Sequence, residues 1–199
     1  MKSIKYIVAA LAVAALATAS YATITVNYGS SESTYLADSQ GNYLDAGTTF
    51  EIGTFASAPT VGSPSLAGFT AFGTDTIVDG AIAGGITASD SGFAHNQIYI
   101  VVLNGSQEFI GYVSDADATN WKFPATADFP NSTSLDLGDM AAGGGGTMNL
   151  ATGATVVYGQ IGVDPSGPYT LLETVPEPSS IALVVMGLFG AFGLIRRRK

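Results

Sequence analysis

The sequence predicts an all-β fold: a single β-sandwich-like domain with at most one or two short helices inserted. Short runs of β-branched and aromatic residues recur between residues 23 and 174. Gly, Ser, Asn and Asp separate these runs, and these residue types favour turns. Each end of the chain instead holds a longer apolar run flanked by basic residues, so we expect one further helix at each end.

The strongest strand signal is a hairpin in the middle of the chain. Asn104 and Gly105 lie between two apolar runs, which is typical of a two-residue β-turn. Residues 98–103 are apolar without interruption, so we expect a central strand that is covered on both faces. Similar patterns predict a hairpin around residues 39–41 and further strands at residues 22–28, 48–55, 155–163 and 169–174.

One region has the residue spacing of a helix. Ser63 would cap this helix and Pro64 would occupy its first position, where proline is tolerated. Leu66, Phe69 and Phe72 follow at intervals of three residues, which places them on one helical face. We therefore expect a short helix inserted between strands here.

The charges are strongly segregated. Lys122 is the only basic residue between residues 23 and 175, against fifteen acidic residues, so this part carries a net charge of −14. Such a surface repels nucleic acid, and it is compatible with cations or neutral polymers. The chain has no cysteine, which excludes disulfides, thiolate metal sites and cysteine nucleophiles.

The first 22 residues have the layout of a secretory signal peptide. Lys2 and Lys5 precede an apolar run, and small residues end it. Signal peptidase would cut after Ala22, which leaves Thr23 as the new N-terminus, and Ala17-Thr18-Ala19 is a second possible site. The alternative is an uncleaved N-terminal membrane anchor.

The last residues have the layout of a membrane anchor. Residues 179–195 are uncharged and mostly apolar, and as a helix they would span about 26 Å, near the lower limit for crossing a bilayer. Basic residues near a membrane span favour the cytoplasmic side, so everything before this helix would lie outside the cytoplasm. The basic tail consists of Arg196, Arg197, Arg198 and Lys199.

A stiff segment precedes this expected transmembrane helix. Pro176 and Pro178 flank Glu177, and the two prolines favour an extended chain that an enzyme could grip. Pro-Glu-Pro, an apolar span and an Arg-rich tail follow one another in residues 175–199. In these features the chain resembles proteins that carry the PEP-CTERM sorting signal. The sequence thus predicts a signal peptide at residues 1–22, a domain at 23–174 and a sorting signal at 175–199.

The resemblance implies a route to the cell surface. Proteins with this signal are exported, held transiently in the inner membrane and processed by exosortase, usually in bacteria that make exopolysaccharide. Pro176, Glu177 and Pro178 would then be recognised as a substrate. The alternative is a permanent tail anchor that happens to follow Pro-Glu-Pro.

Catalytic signals in the domain are weak. His95 is the only histidine, and we expect it in a surface turn. Asp75 with Asp79, and Asp115 with Asp117, are closely spaced carboxylates among turn-forming residues, where a glycosidase pair is the less favoured interpretation. Asp115 and Asp117, together with Asn120, are also weak candidates for a calcium loop, and we expect no cofactor.

We therefore expect a non-enzymatic surface or exopolysaccharide-matrix protein. The alternative is a secreted enzyme that acts on polysaccharide. Tyrosine and tryptophan rings can stack on sugars, and the chain offers nine tyrosines and Trp121. The competing interpretation is that these rings pack in or beside the sheet, for which the candidates are Tyr28, Tyr99, Tyr112 and Tyr158.

Overall fold

The computed structural model describes residues 23–31, 34–114, 119–143, 148–164 and 169–176, and it confirms the all-β prediction. Two 3-10 helices, Thr119–Trp121 and Leu137–Met140, are the only helices in these ranges. The strands are β1 (Thr23–Gly29), β2 (Thr34–Ala37), β3 (Thr49–Phe55), β4 (Phe69–Thr76), β5 (Ala83–Ser89), β6 (Tyr99–Asn104), β7 (Gln107–Val113), β8 (Ser132–Asp136), β9 (Ala141–Gly143), β10 (Met148–Leu150), β11 (Ala154–Tyr158), β12 (Gln160–Val163), β13 (Thr170–Glu173) and β14 (Val175–Pro176).

The largest sheet is built around the predicted hairpin. Its strand order is β11-β7-β6-β3-β4, so β6 lies in the middle, as its unbroken apolar run predicts. Asn104 pairs with Gln107 across the turn, and Gly105 has a φ of 63°. Glycine adopts this left-handed conformation without steric cost, and the two turn residues are Gly105 and Ser106, one position later than the predicted Asn104-Gly105 pair.

A second sheet, in the order β5-β1-β8, contributes to the same core as the large sheet. The side chains of β1 alternate: Ile24, Val26 and Tyr28 are buried, while Thr25 and Asn27 face outward. The buried side chains meet Phe50 and Ile52 of β3, Ile100 and Val102 of β6, and Phe109 of β7 in one cluster. The two sheets therefore share one apolar core.

Two smaller sheets complete the described part of the chain. One has the order β12-β13-β2, and its Leu36 and Leu172 reach the main core. The other pairs β9 with β10. Trp121 and Phe123 are fully buried in the main core, and Trp121 Nε1 donates a hydrogen bond of 2.9 Å to Asp139.

The large sheet also buries apolar side chains on its opposite face. Tyr99, Val101 and Ile110 form a second cluster there, together with Phe55, Val157 and Tyr158. The central hairpin is therefore covered on both faces, so it contributes to two cores.

The prediction of a helix that begins after Ser63 is wrong. Residues 67–68 form a turn in which Gly68 has a φ of 81°, and Phe69 begins β4. Residues three apart share a face in a helix, but they point to opposite faces of a strand. Accordingly, within β4, Phe72 packs in the main core and Phe69 packs against the second cluster, which Leu66 also contacts from the segment before the strand.

The single strand expected at residues 155–163 is divided in two. β11 pairs with β7, and β12 pairs with β13, so the chain changes sheets at Gly159. Gly159 has a φ of 111°, and a Cβ atom there would lie 2.6 Å from Phe109 Cδ2 and 2.9 Å from the Glu173 carbonyl oxygen. Only glycine fits this crossing point.

Both terminal helices that the sequence predicts lie outside the described residues, which begin at Thr23 and end at Pro176. No helix within the described ranges is long and apolar enough to cross a membrane.

Replacing Gly159 by alanine is expected to destabilise the domain by roughly 2–4 kcal/mol. About 1 kcal/mol reflects the positive φ, and the rest reflects overpacking against Phe109. The control is Gly29→Ala, since a Cβ atom at Gly29 would meet nothing within 4 Å. Chemical denaturation measures both variants, and equal stability of the two would contradict this account of the crossing point.

Candidate functional site

Three tyrosine rings gather on the surface beside β2. Tyr35 stacks on Tyr43 with ring centroids 4.9 Å apart, and Tyr169 meets Tyr35 edge-on at 5.4 Å. Tyr43 is 38% exposed, and the other two rings are partly exposed. We call Tyr35, Tyr43 and Tyr169 the tyrosine cluster.

Strand pairing brings these residues together from distant parts of the chain. β2 runs parallel to β13, with Tyr35 paired to Leu171, so Tyr169 arrives just before its strand begins. The turn after β2 returns the chain so that Ala37 pairs with Tyr43. Tyr35 precedes the buried Leu36, and its ring therefore faces away from the main core.

The backbone at Gly80 packs closely against the tyrosine cluster. Gly80 accepts a backbone hydrogen bond from Leu36 and donates one to Leu44. A Cβ atom at Gly80 would lie 3.2 Å from the Cβ of Tyr43 and 3.4 Å from the Cβ of Tyr35. The absence of a side chain at this glycine lets its backbone lie close to the Cβ atoms of both tyrosines.

The cluster also has a polar anchor. The Tyr43 hydroxyl donates a hydrogen bond of 2.7 Å to Asp164 Oδ2. Partial burial, followed by this hydrogen bond and the carboxylate charge, raises the pKa of Tyr43 to about 12. The site therefore offers partly exposed aromatic faces, while the anchoring carboxylate of Asp164 is itself buried, which suits a ligand with C–H surfaces.

Four other rings that the sequence analysis considered lie in the interior. Trp121 is fully buried, and Tyr28, Tyr99 and Tyr158 are at most 8% exposed. The packing interpretation is therefore correct for these rings. The sequence analysis did not single out the tyrosine cluster, although the hairpin expected around residues 39–41 already places Tyr35 and Tyr43 on its two arms.

His95 lies in a surface turn, as the sequence predicts. Its side chain is 71% exposed, its φ is 61°, and its Nδ1 lies 3.8 Å from Asp128 Oδ2. The same Asp128 oxygen accepts a hydrogen bond from the Ala125 backbone N–H at 2.6 Å. The carboxylate thus closes a turn, which is a structural role.

Asp75 differs from its expected position in a turn, because it lies within β4. Its carboxylate accepts hydrogen bonds from the Tyr28 hydroxyl and the Thr76 backbone N–H, and these hold its pKa below the ordinary value. A glycosidase general acid requires a raised pKa. Asp79 lies in the following turn with a φ of 49°, so the pair combines a strand residue with a turn residue.

A groove of about 420 Å³ lies along β8, and the sequence analysis did not predict it. It contains Lys122 and Asp128, and its other lining residues are polar or proline. Since no aromatic ring lines this groove, it lacks the stacking surface that the tyrosine cluster provides.

The structure describes only the first residue of the Pro-Glu-Pro segment. Pro176 is extended as expected, but it is half-buried in β14 instead of fully exposed. Val175 and Pro176 pair with Glu108 and Gln107 of β7. The other candidate residues lie outside the described ranges: Ala22, Asp115, Asp117, Glu177, Pro178, Arg196, Arg197, Arg198 and Lys199.

Calcium binding by Asp115 and Asp117 therefore stays a prediction. Within the described ranges, no group of three or more His, Asp or Glu side chains is placed to hold a metal ion.

The fold is an all-β domain, and its last described strand, β14, contains the first proline of the Pro-Glu-Pro segment. Residues 174–199 match the family described as the PEP-CTERM protein-sorting motif, so the chain carries this motif. The motif is a substrate signal for exosortase and indicates an exported surface protein. No curated protein and no solved structure matches the chain.

Tyr43 is expected to ionise near pH 12, well above the ordinary tyrosine value of 10.0. Because the folded pKa is raised, the stability that this hydroxyl contributes is present below pH 10 and is lost as the pH rises toward 12. The difference in tyrosinate absorbance between the wild type and Tyr43→Phe isolates this titration. A step at the ordinary value would show that the hydrogen bond to Asp164 does not form.

Proposed function

We propose that this is a non-enzymatic protein of the cell surface or exopolysaccharide matrix, and that its tyrosine cluster contacts polysaccharide. The observation that carries the proposal is the stacked pair Tyr35 and Tyr43 with Tyr169 at its edge, a partly exposed group of rings that the buried Asp164 anchors through the Tyr43 hydroxyl. The sorting motif supports the location, because it indicates export to the surface.

The geometry of the cluster suits a sugar polymer. Tyrosine faces pack against the C–H side of a sugar ring, and the phenol oxygens can bond its hydroxyls. The contacts between the three rings limit their rotation, so less side-chain entropy is lost on binding.

The negative charge of the domain disfavours binding to a strongly anionic polysaccharide. One basic residue against fifteen acidic ones between residues 23 and 175 repels a strongly anionic chain. We therefore propose a neutral or weakly charged polysaccharide, bound weakly and repeatedly along its length.

The proposed route follows the order of the signals along the chain. Signal peptidase removes residues 1–22 after Ala22, and residues 179–195 then hold the protein transiently in the inner membrane. Exosortase recognises Pro176, Glu177 and Pro178 and removes the tail that ends in Arg196–Lys199. The acidic domain leaves the membrane, since anionic lipid headgroups repel it.

Tail removal can be tested by the intact mass of the protein from its native host, in membrane and extracellular fractions. We expect an extracellular product that lacks residues 1–22 and the basic tail. Alanine at all three positions of Pro176–Pro178 should retain the tail in the membrane, whereas alanine at Ser179 and Ser180 should not. A wild-type protein found only in membranes with Lys199 intact would refute the route.

Polysaccharide contact can be tested with polymer isolated from the host. Tyr35→Ala or Tyr43→Ala should weaken binding roughly ten-fold, because each removes one stacking face. Phe129→Ala is the matched control, since this fully exposed ring lies in the loop before β8, outside the cluster. Affinity electrophoresis measures the difference, and equal binding by the control and the cluster variants would contradict the assignment.

A further inference from the structure

The start of the sorting motif is part of the folded domain. β14 adds Val175 and Pro176 to the large sheet, where they pair with Glu108 and Gln107 of β7. Val175 also packs against the second apolar cluster. The domain therefore holds the first three residues of the segment that the motif match covers, Thr174 to Pro176.

β14 occupies a position on β7 that another strand leaves free. β11 pairs antiparallel to β7 as far as Tyr158 opposite Ile110. The chain then turns away at Gly159 into β12. β14 continues along β7 in the same direction as β11, from Glu108 to Gln107. The fold thus provides a short open section of strand edge, and β14 fills it.

Side chains hold β14 in this position. The Tyr158 hydroxyl donates a hydrogen bond of 2.6 Å to the Pro176 carbonyl oxygen. The buried Thr174 donates its Oγ1 hydrogen to Gln107 Oε1 at 2.8 Å, and its backbone N–H to the Ala37 carbonyl oxygen at 2.9 Å. Gln107 Oε1 also accepts from the Ser39 backbone N–H, which ties this contact to the turn after β2.

Proline fits this position because β14 is short and lies at a strand edge. Proline has no N–H, so it is restricted to places where no ladder hydrogen bond is required from it. Pro176 uses its carbonyl oxygen instead, as the acceptor for Tyr158. The first proline of the motif is therefore compatible both with the sheet and with an extended peptide in an enzyme cleft.

We propose that exosortase acts only after β14 has detached from β7, and that Tyr158 and Thr174 are positioning residues that set how often it detaches. The proposal rests on the proposed processing at Pro-Glu-Pro. An enzyme that grips an extended peptide uses the peptide's backbone groups and side chains, and here β7 and Tyr158 already occupy them. Because β14 has only two residues, it can open without unfolding the domain.

The first test weakens the contact between β14 and the rest of the domain. In full-length protein expressed in the native host, Tyr158→Phe and Thr174→Val should each raise the initial rate of tail removal about five-fold. Tyr158→Phe removes the hydrogen bond to the Pro176 carbonyl oxygen, and Thr174→Val removes the Oγ1 contacts with Gln107 and Ala37, so the open fraction should rise in each. Tyr99→Phe is the matched control, because it removes a hydroxyl from the same apolar cluster on β6, and β14 pairs with β7 instead. Rates equal to those of the wild type and this control would overturn the proposal, as would slower removal.

The second test strengthens the contact. Glu108 and Val175 are paired across β7 and β14, so Glu108→Cys with Val175→Cys places two thiols at a separation that a disulfide can bridge. The natural chain has no cysteine, so no other disulfide competes. The oxidised double variant should keep its tail, and reductant should restore removal, while each single variant should be processed in both states. Equal processing of the oxidised and reduced double variant would overturn the proposal.

Hydrogen exchange separates this inference from the proposed function. The Val175 and Glu108 amides of the purified protein should exchange faster in Tyr158→Phe than in Tyr99→Phe, whether or not exosortase is present. If every variant retains its tail in the host, the proposed processing fails, and faster exchange would then show a strand contact without a role in sorting. Unchanged exchange would overturn the contact itself.

Discussion

The β6–β7 hairpin is the element on which the other layers depend. Ile100 and Val102 face the main core, while Tyr99 and Val101 face the second cluster, so the same two strands anchor apolar packing on both sides. Truncating a buried isoleucine typically costs 2–5 kcal/mol, and such losses here would reach both cores. The main core also contains side chains of the second sheet and Trp121. β14 pairs directly with β7.

β7 connects this core to the end of the chain. One edge of β7 pairs with β6. Along its other edge, β7 pairs first with β11 and then with β14, which lies at the start of the sorting motif. The change of strand at Gly159 is what makes room for β14. β7 therefore contacts both β11, which ends at the close-packed Gly159, and the first residues of the sorting motif.

At the surface, hydrogen bonds to carboxylates hold the structure, whereas apolar packing holds the core. Several acidic side chains close turns or anchor tyrosines: Asp128 holds a turn, Asp75 accepts from Tyr28, and Asp164 accepts from Tyr43. These contacts give carboxylates local structural roles while the domain keeps its strong negative charge. The tyrosine cluster stands out because its rings pack against one another outside either core.

The sequence by itself determined the features that depend on neighbouring residues. Alternation predicts β1 and β3, an unbroken apolar run with Asn104-Gly105 predicts the central hairpin, and the sorting motif is a linear pattern at the C-terminus. Only the tertiary structure decided that Phe69 begins a strand, that Tyr169 joins Tyr35 and Tyr43, and that Pro176 is held by Tyr158. The physical reason is that each of these outcomes depends on pairing or packing between segments distant in the chain, and such contacts leave no periodic signal in the local sequence.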